Sequence, residues 1–344
     1  MRIEEFDYDL PEGLIAQHPV YPRDHARLMV LNRESKTISH MKFFQIEQFF
    51  KKGDVLVLNN TKVIKARIKG VNKDTFGKRE VFLLKQVGEY EWKALTSPNR
   101  RVHVGDEIVV SEKDGITVKI LKKGEYGENK VKFMSKSGLS MRSILEKIGN
   151  IPLPPYIKGK ITADDEYQTI FASNEGAVAS PTAGLHFTKP LLKRLENKGV
   201  KIAYITLHVG LGTFKPVKEE IIERHKMHEE EFVIDEKTAK IVNEARKNGG
   251  RIFACGTTVV RTLETAATFN GILKPMRGKT RLFIKPGYPF KIVDAIITNF
   301  HFPRTTLLML VSAFAGKEFV LKAYDIAVKE HYRFYSFGDA MLII

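Results

Sequence analysis

Cysteine, tryptophan and long apolar stretches are scarce in this sequence. Its 344 residues contain one cysteine and one tryptophan. A single cysteine excludes an intrachain disulfide and any metal site built from several cysteines. No apolar run approaches the roughly 20 residues that a membrane-spanning helix needs. The N-terminal MRIEEFDYDLPEG also lacks the apolar core of a secretory signal. These absences predict a cytoplasmic protein with no membrane association.

Positive charge is what the chain has in excess. The formal net charge is +16 at pH 7, and residues 62–150 alone hold 20 Lys and Arg against 11 Asp and Glu. Basic chains attract polyanions, of which nucleic acid is the commonest. The charge therefore favours a nucleic-acid partner and makes residues 62–150 the candidate contact region. A protein that is merely basic is the alternative interpretation.

The hydrophobic pattern divides the chain into two kinds of region. Residues 62–150 alternate with period two in six short runs rich in Val, Ile and Lys, separated by Gly, Asn and Asp turns. This spacing is typical of a small barrel or sandwich. Elsewhere helical segments alternate with buried strands, which indicates an α/β sheet. The expected architecture is an α/β main domain formed by residues 1–61 and 151–344, with an inserted small antiparallel β-barrel domain at residues 62–150.

Polar residues and glycines follow several predicted strands. Ligands of α/β proteins bind at the carboxyl ends of the strands, so these loops together predict a pocket, although each alone is ordinary turn chemistry. The strand-end residues are Asn59 and Asn60 in VLVLNNT, His208, Gly210 and Gly212 in LHVGLGTF, Thr257 and Thr258 in ACGTTVVR, and Asn299 and His301 in ITNFHFPRTT. Before a predicted helix, ASPTAGLHFT adds Ser180, Thr182, Gly184 and His186.

Familiar cofactor and nucleophile motifs are missing from these loops. GILKPMRGKT has six residues between its glycines where a phosphate-binding loop has four, and Gly210-Leu211-Gly212 lacks the third glycine of a dinucleotide fingerprint. Pro181 directly follows Ser180 and removes a backbone N–H that an oxyanion hole would need. A serine nucleophile is therefore not expected. His225 and His228 in HKMHEEEF could share a helix face as metal ligands, but a clear third ligand is missing, so a solvated charged segment is the favoured interpretation.

Several longer blocks resemble one family. YQTIFASNEGAVASPTAGLHFT, ITLHVGLGTFKPV, MHEEEF, CGTTVVRTLE, TNFHFPRTTLLMLVSAFAG and YRFYSFGDAMLI are similar to blocks of the S-adenosylmethionine:tRNA ribosyltransferase-isomerases, and the similarity extends from Phe6 to Ile343. The resemblance implies an enzyme of queuosine biosynthesis. Such an enzyme moves the ribosyl part of S-adenosylmethionine onto 7-aminomethyl-7-deazaguanine at the tRNA wobble position. Epoxyqueuosine-tRNA forms, and adenine and methionine leave.

The resemblance also implies roles for individual residues. His186, His208 and His301 are the candidate catalytic base or acid, because histidine has a pKa near working pH, and His186 is favoured as the base. Arg261 and Arg333 are candidates for the methionine carboxylate, and Tyr167 for the sulfonium. The remaining candidate substrate-binding residues are Asn59, Asn60, Ser180, Thr182, Gly184, Gly210, Gly212, Thr257, Thr258 and Asn299.

The implied partners are S-adenosylmethionine, as ribosyl donor rather than cofactor, and the anticodon loop of tRNA. Arg100 and Arg101 in the basic segment are the candidate tRNA contacts, and a monomer is expected. The sequence leaves two other functions open. One is RNA binding without catalysis, which charge and a barrel alone would support; the other is tRNA methylation, against which the missing glycine-rich cofactor loop argues.

Overall fold

The computed structural model describes residues 1–124, 127–159, 163–210, 217 and 219–344. The strands are β1 (Arg27–Leu31), β2 (Ile38–Lys42), β3 (Val55–Asn59), β4 (Thr61–Val63), β5 (Arg67–Asn72), β6 (Lys78–Gln86), β7 (Glu91–Ser97), β8 (Glu107–Ser111), β9 (Ile116–Lys123), β10 (Glu128–Ser135), β11 (Gly149–Asn150), β12 (Asn174–Ala177), β13 (Lys201–Leu207), β14 (Glu230–Ile234), β15 (Ile252–Cys255), β16 (Met276–Thr280), β17 (Ala295–Asn299) and β18 (Ala340–Ile343).

The α-helices are α1 (Met141–Ile148), α2 (Lys189–Asn197), α3 (Glu236–Lys247), α4 (Thr257–Ala266), α5 (Thr306–Ala315) and α6 (Lys317–Lys329). Short 3-10 helices occupy Ile3–Phe6, Glu12–Leu14, Arg23–His25, Phe43–Phe49, Asn99–Arg101, Asp164–Tyr167, Thr182–His186 and Ile222–Arg224. The chain forms two compact units, one made of Met1–Lys62, Pro154–Asn174 and Ser180–Ile344, the other of Val63–Leu153 and Glu175–Ala179.

The first unit contains a mixed sheet with helices. Among the described residues nine strands run in the order β16-β14-β13-β3-β15-β17-β18-β1-β2. The central pairs β13–β3, β3–β15 and β15–β17 are parallel, so these four strands end at the same edge of the sheet. That edge is where an α/β sheet binds ligands.

One face of this sheet is covered by α2 and the 3-10 helix at residues 43–49. Alternate strand residues point into this layer because successive side chains of a strand lie on opposite faces. Leu56 and Leu58 of β3 and Phe253 of β15 are fully buried there against Leu191 and Leu195 of α2. Thr188 begins α2 by accepting a hydrogen bond from the Leu191 N–H at 3.3 Å. Ala183 and Phe187 of the segment just before α2 are buried in the same layer.

The second unit is a closed antiparallel barrel. Its strands β5, β6, β7, β10, β9 and β8 pair in that order, and β5 also pairs with β8. Closure brings β5 so near β8 that a Cβ on Gly70 would lie 2.5 Å from the Val109 carbonyl oxygen, which explains a glycine inside a strand. The α/β main domain with an inserted antiparallel β-barrel is therefore confirmed as the fold.

Candidate active site

A cleft opens at the carboxyl ends of β15 and β17 in the first unit. Its described lining residues are Tyr156, Ser180, Pro181, Thr182, Ala183, Val209, Gly256, Thr257, Thr258, Thr298, Asn299, Phe300, His301, Phe302, Thr305, Leu307, Tyr335 and Ser336. Residues that follow β13, β15 and β17 line this cleft, whereas Asn59 and Asn60 at the end of β3 are not among its described lining residues, and none of the lining residues is charged.

His186 lies behind the cleft rather than in its lining. Its Nε2 is 3.1 Å from Asn299 Nδ2, and Asn299 Oδ1 accepts a hydrogen bond of 3.0 Å from Thr182 Oγ1. The imidazole stacks on Phe43 with the ring centroids 4.9 Å apart and also bonds to the backbone of Arg23. Burial lowers the pKa of His186 to about 3, so the ring is neutral at physiological pH. A neutral ring that accepts from Asn299 orients the amide that lines the cleft.

His301 is the only histidine among the described lining residues. Its Nε2 lies 2.9 Å from Thr298 Oγ1, and its backbone N–H donates to the Tyr324 hydroxyl at 3.0 Å. The hydroxyl of Tyr8 donates to its carbonyl oxygen. Burial lowers the pKa of His301 to about 3, so this ring is also neutral. The bond at Nε2 leaves Nδ1 as the nitrogen available to a ligand.

Three buried hydroxyls in the cleft have no hydrogen-bond partner within the described part of the chain. They belong to Ser180, Thr258 and Tyr335, whose exposed fractions are 3%, 7% and 6%. An unpaired buried polar group costs about 1–3 kcal/mol, and native proteins rarely leave such groups unpaired without a reason. These hydroxyls mark the cleft as a site for a polar ligand that completes their hydrogen bonds.

An aromatic wall forms another side of the cleft. The Tyr335 ring contacts Phe302 and lies 4.9 Å from the Tyr156 ring, centroid to centroid. Tyr335 also has φ of +69°, a conformation that side chains rarely adopt. Neither Tyr335 nor its two aromatic neighbours are among the predicted site residues. The sequence signal that could have identified Tyr335 is the block YRFYSFGDAMLI, which contains this residue and carries part of the family resemblance.

A second hydrogen-bonded group joins the ends of β3 and β13. Asn59 is fully engaged: its Nδ2 donates to the Leu207 carbonyl at 3.0 Å and its Oδ1 accepts from the Leu207 N–H at 3.1 Å. The Asn60 Oδ1 accepts from Thr206 Oγ1 at 2.7 Å. His208 Nδ1 lies 2.8 Å from Thr61 Oγ1, and burial lowers the pKa of His208. These predicted residues tie two strands together and are not among the lining residues of the cleft.

The two predicted carboxylate-binding arginines have protein partners. Arg261 is 4% exposed, forms an ion pair with Glu230 and donates from Nε to the Leu282 carbonyl at 3.0 Å. The Arg333 Nη2 donates to the His18 carbonyl oxygen. Neither arginine is among the described lining residues. A carboxylate in the cleft would therefore need other donors.

The other predicted positions divide between packing and surface. Tyr167 is fully buried against Phe337. Gly184 packs so closely that a Cβ there would lie 2.8 Å from Phe171 Cζ. The Gly210 N–H lies 3.4 Å from Glu230 Oε1, whereas Gly212 lies outside the described residues. Arg100 and Arg101 are exposed on the barrel unit.

Clusters of metal-ligating side chains and long apolar helices are both missing from the described part of the chain. Within the described ranges, no three or more His, Cys, Asp or Glu side chains are grouped so that they could hold a metal ion. No described helix has both the length and the apolarity to cross a membrane. Cys255 is buried, and burial raises the pKa of its thiol. The described lining residues of the cleft offer histidine, hydroxyl, amide and backbone groups.

Comparison with known proteins gives one consistent result. The model of a family described as queuosine biosynthesis protein matches residues 3–343. Proteins named S-adenosylmethionine:tRNA ribosyltransferase-isomerase from Thermoanaerobacter sp. and Sulfurihydrogenibium sp. are 51% and 52% identical, with complete coverage of both chains. The crystal structure of an S-adenosylmethionine tRNA ribosyltransferase from Thermotoga maritima is 42% identical, with a TM-score of 0.57 over 99% of this chain and 100% of that one. The chain therefore belongs to the queuosine biosynthesis protein family.

Proposed function

We propose that this protein is an S-adenosylmethionine:tRNA ribosyltransferase-isomerase. It transfers and isomerises the ribosyl moiety of S-adenosylmethionine onto 7-aminomethyl-7-deazaguanine at the tRNA wobble position. The products are epoxyqueuosine-tRNA, adenine and methionine. Family membership and the names of full-length relatives at 51% identity support this activity.

The unpaired hydroxyls of Ser180, Thr258 and Tyr335 carry the proposal that the cleft holds S-adenosylmethionine. A ribose and an amino-acid end offer several donors and acceptors, so this substrate can restore the hydrogen bonds that burial removed. The aromatic wall suits its sulfonium, because a cation is attracted to the face of an aromatic ring. Thr182 and Asn299 are proposed to contact ribose or adenine edges.

His301 is proposed as the base, in place of His186. The sulfonium acidifies the C5′ protons of the substrate; loss of one of them to a base forms an ylide and starts the departure of adenine. His301 lines the cleft, and proton transfer to its Nδ1 requires the tautomer in which Nε2–H donates to Thr298 Oγ1. His186 is not among the described lining residues, and its Nε2 already accepts a hydrogen bond from Asn299. His186 is therefore assigned the task of orienting Asn299.

The two parts of the chain are proposed to divide the work. Residues 1–61 and 151–344 form the catalytic domain, and residues 62–150 carry the excess positive charge and the exposed Arg100 and Arg101. Phosphates are bound chiefly by such cations. A wobble base must be splayed out of the anticodon loop before an enzyme can act on it. The protein is proposed to act as a monomer in the cytoplasm, without a metal.

One assay tests the activity. The protein is incubated with S-adenosylmethionine and tRNA that bears the aminomethyl-deazaguanine, and the small-molecule products are separated. Release of adenine and methionine in equal amounts is expected, and tRNA with guanine at the wobble position is the control that should release neither. Release of S-adenosylhomocysteine would show a methyltransferase. Binding of tRNA with no product under any condition would show an RNA-binding protein.

A further inference from the structure

Helix α4 begins at the cleft without a capping side chain. Its N-cap is Gly256, with φ of +92°, and no side chain accepts a hydrogen bond from its first turn. By contrast, α1, α2, α3 and α5 are capped by the side chains of Ser140, Thr188, Asp235 and Thr305. The first N–H groups of a helix have no carbonyl partner inside it. In α4 these are the N–H groups of Thr257 and Thr258, because those of Val259 and Val260 donate to the Gly256 carbonyl at 3.1 and 3.2 Å.

The Thr258 side chain gives a second, independent indication of a ligand. This residue is 7% exposed and its hydroxyl has no partner among the described residues. A Cβ added to Gly256 would lie 3.6 Å from Thr258 Oγ1, so the hydroxyl lies beside the start of the helix. Gly256, Thr257 and Thr258 all line the cleft. Two backbone N–H groups and one hydroxyl are therefore gathered at one point.

The charges around this point favour an anion. A helix N-terminus has a partial positive charge, and no carboxylate occurs among the described lining residues to oppose it. Arg261, one turn further along α4, forms a buried ion pair with Glu230. Glu230 neutralises the charge of Arg261, so the positive potential in the cleft comes from the helix terminus. Thr257 and Thr258 are each 7% exposed, which suits the end of a small molecule better than a continuous phosphodiester chain.

We infer that the uncapped start of α4, together with the Thr258 hydroxyl, binds the carboxylate of the methionine end of S-adenosylmethionine. This takes the place of the arginine expected from the sequence, and it rests on the proposed function. The carboxylate accepts from the N–H groups of Thr257 and Thr258 and from the Thr258 hydroxyl. The substrate thereby completes the first turn of the helix as a capping side chain would.

The test compares S-adenosylmethionine with decarboxylated S-adenosylmethionine, which lacks only the carboxylate. Binding is measured by calorimetry, with and without saturating tRNA that carries guanine at the wobble position and so lacks the reacting amine. The wild-type protein should bind S-adenosylmethionine at least about 10-fold more tightly than the decarboxylated analogue, since hydrogen bonds to charged groups contribute about 1.5–3 kcal/mol.

Two substitutions at position 258 locate the contact. Thr258→Val keeps the shape and removes the hydroxyl; it should weaken S-adenosylmethionine about 10-fold and leave the analogue nearly unchanged. Thr258→Ser keeps a hydroxyl and should retain most of the discrimination. Thr262→Val is the matched control, because the Thr262 hydroxyl donates within α4 to the Thr258 carbonyl at 2.8 Å and is not part of the cleft lining. Thermal melting of each free variant checks that it is folded.

Each other outcome has a defined meaning. Equal weakening of both ligands by Thr258→Val would place the hydroxyl against another part of the substrate and overturn the inference. Equal affinity of the wild-type protein for the two ligands would also overturn the inference, and this comparison does not depend on any variant being folded. If Thr258→Val weakened an anticodon-loop RNA but not S-adenosylmethionine, the anion would be a phosphate and the inference would again be wrong. Failure of the wild-type protein to bind either ligand, with or without tRNA, would instead contradict the proposed function.

Discussion

Asn299 Nδ2 lies 3.1 Å from His186 Nε2, so the buried imidazole faces an amide and not the cleft. Asn299 is held at its other end by Thr182, whose Oγ1 donates to Oδ1 at 3.0 Å. The amide that lines the cleft is thus fixed in one orientation by two groups. Asn299 therefore separates His186 from any ligand in the cleft, whereas His301 lines the cleft and can contact the ligand directly.

His301→Asn should lower kcat for adenine release by about 100-fold to 10,000-fold, the usual contribution of a general base. The Michaelis constant for S-adenosylmethionine should change much less, because the residue acts on the reacting proton. Steady-state rates over a range of substrate concentrations separate the two constants. Near-normal turnover by a folded His301→Asn protein would reject the assignment of the base.

His186→Phe should lower kcat by only about 10-fold to 100-fold. Phenylalanine keeps the stacking on Phe43 but cannot accept from Asn299, whose amide is then free to rotate away from its productive position. His186→Gln, which restores an acceptor, should recover part of the rate. The pH dependence of kcat should be the same in wild type and His186→Phe. A larger loss from His186→Phe than from His301→Asn would return the base role to His186.

Tyr335→Phe should raise the free energy of unfolding of the free protein by about 1 kcal/mol, because the Tyr335 hydroxyl is buried without a partner. The same change should weaken S-adenosylmethionine binding about 5-fold or more. Chemical unfolding and calorimetry measure the two effects. Tyr332→Phe is the control: its hydroxyl lies 2.7 Å from His40 Nδ1, so its loss should destabilise the protein. Parallel behaviour of the two variants would argue that the Tyr335 hydroxyl already has a partner.

Stability should fall as the pH drops from about 6.5 toward 3. The pKa values of His186 and His301 are lowered by burial to about 3, so in this range the unfolded chain binds protons that the folded protein does not. Each histidine should cost up to about 1.4 kcal/mol per pH unit, and its contribution should be constant above pH 7. The free energy of unfolding of wild type and His301→Gln is compared at pH 7 and pH 5.

The His301→Gln protein should lose part of this pH dependence. Replacement of His103, whose side chain is 76% exposed, should leave it unchanged. Identical slopes for wild type and His301→Gln would show that His301 titrates alike in the folded and unfolded states.

Arg100→Ala combined with Arg101→Ala should raise the Michaelis constant for tRNA and leave that for S-adenosylmethionine unchanged. If both side chains contact phosphates of a single-stranded loop, the negative slope of log affinity against log salt concentration should become shallower by about 1.4. Filter binding at several salt concentrations measures it. Arg142→Ala is a control on the same unit, because Arg142 already pairs with Glu175 at 3.3 Å. An unchanged tRNA constant in the double variant would remove this surface from the proposal.

Much of the architecture follows from the sequence alone, because local pattern decides it. The period-two alternation of residues 62–150 predicts the barrel, and helical segments between buried strands predict the α/β sheet. The positions of Asn299, Thr257 and Thr258 at strand ends predict that they line a cleft, and they do. Parallel strands all end at the same edge of a sheet. The order of strands and helices along the chain therefore already indicates that these residues lie at that edge.

Tertiary packing decided which way individual side chains point. His186 and His301 both precede phenylalanine in family motifs, yet only His301 lines the cleft, because the 3-10 turn at residues 182–186 directs His186 against Phe43. Arg261 is engaged by Glu230, which lies 31 residues earlier in the chain. Tyr335 joins the cleft through contacts with Tyr156 and Phe302, which lie far earlier in the chain. These contacts depend on residues distant in sequence, and no local pattern encodes them.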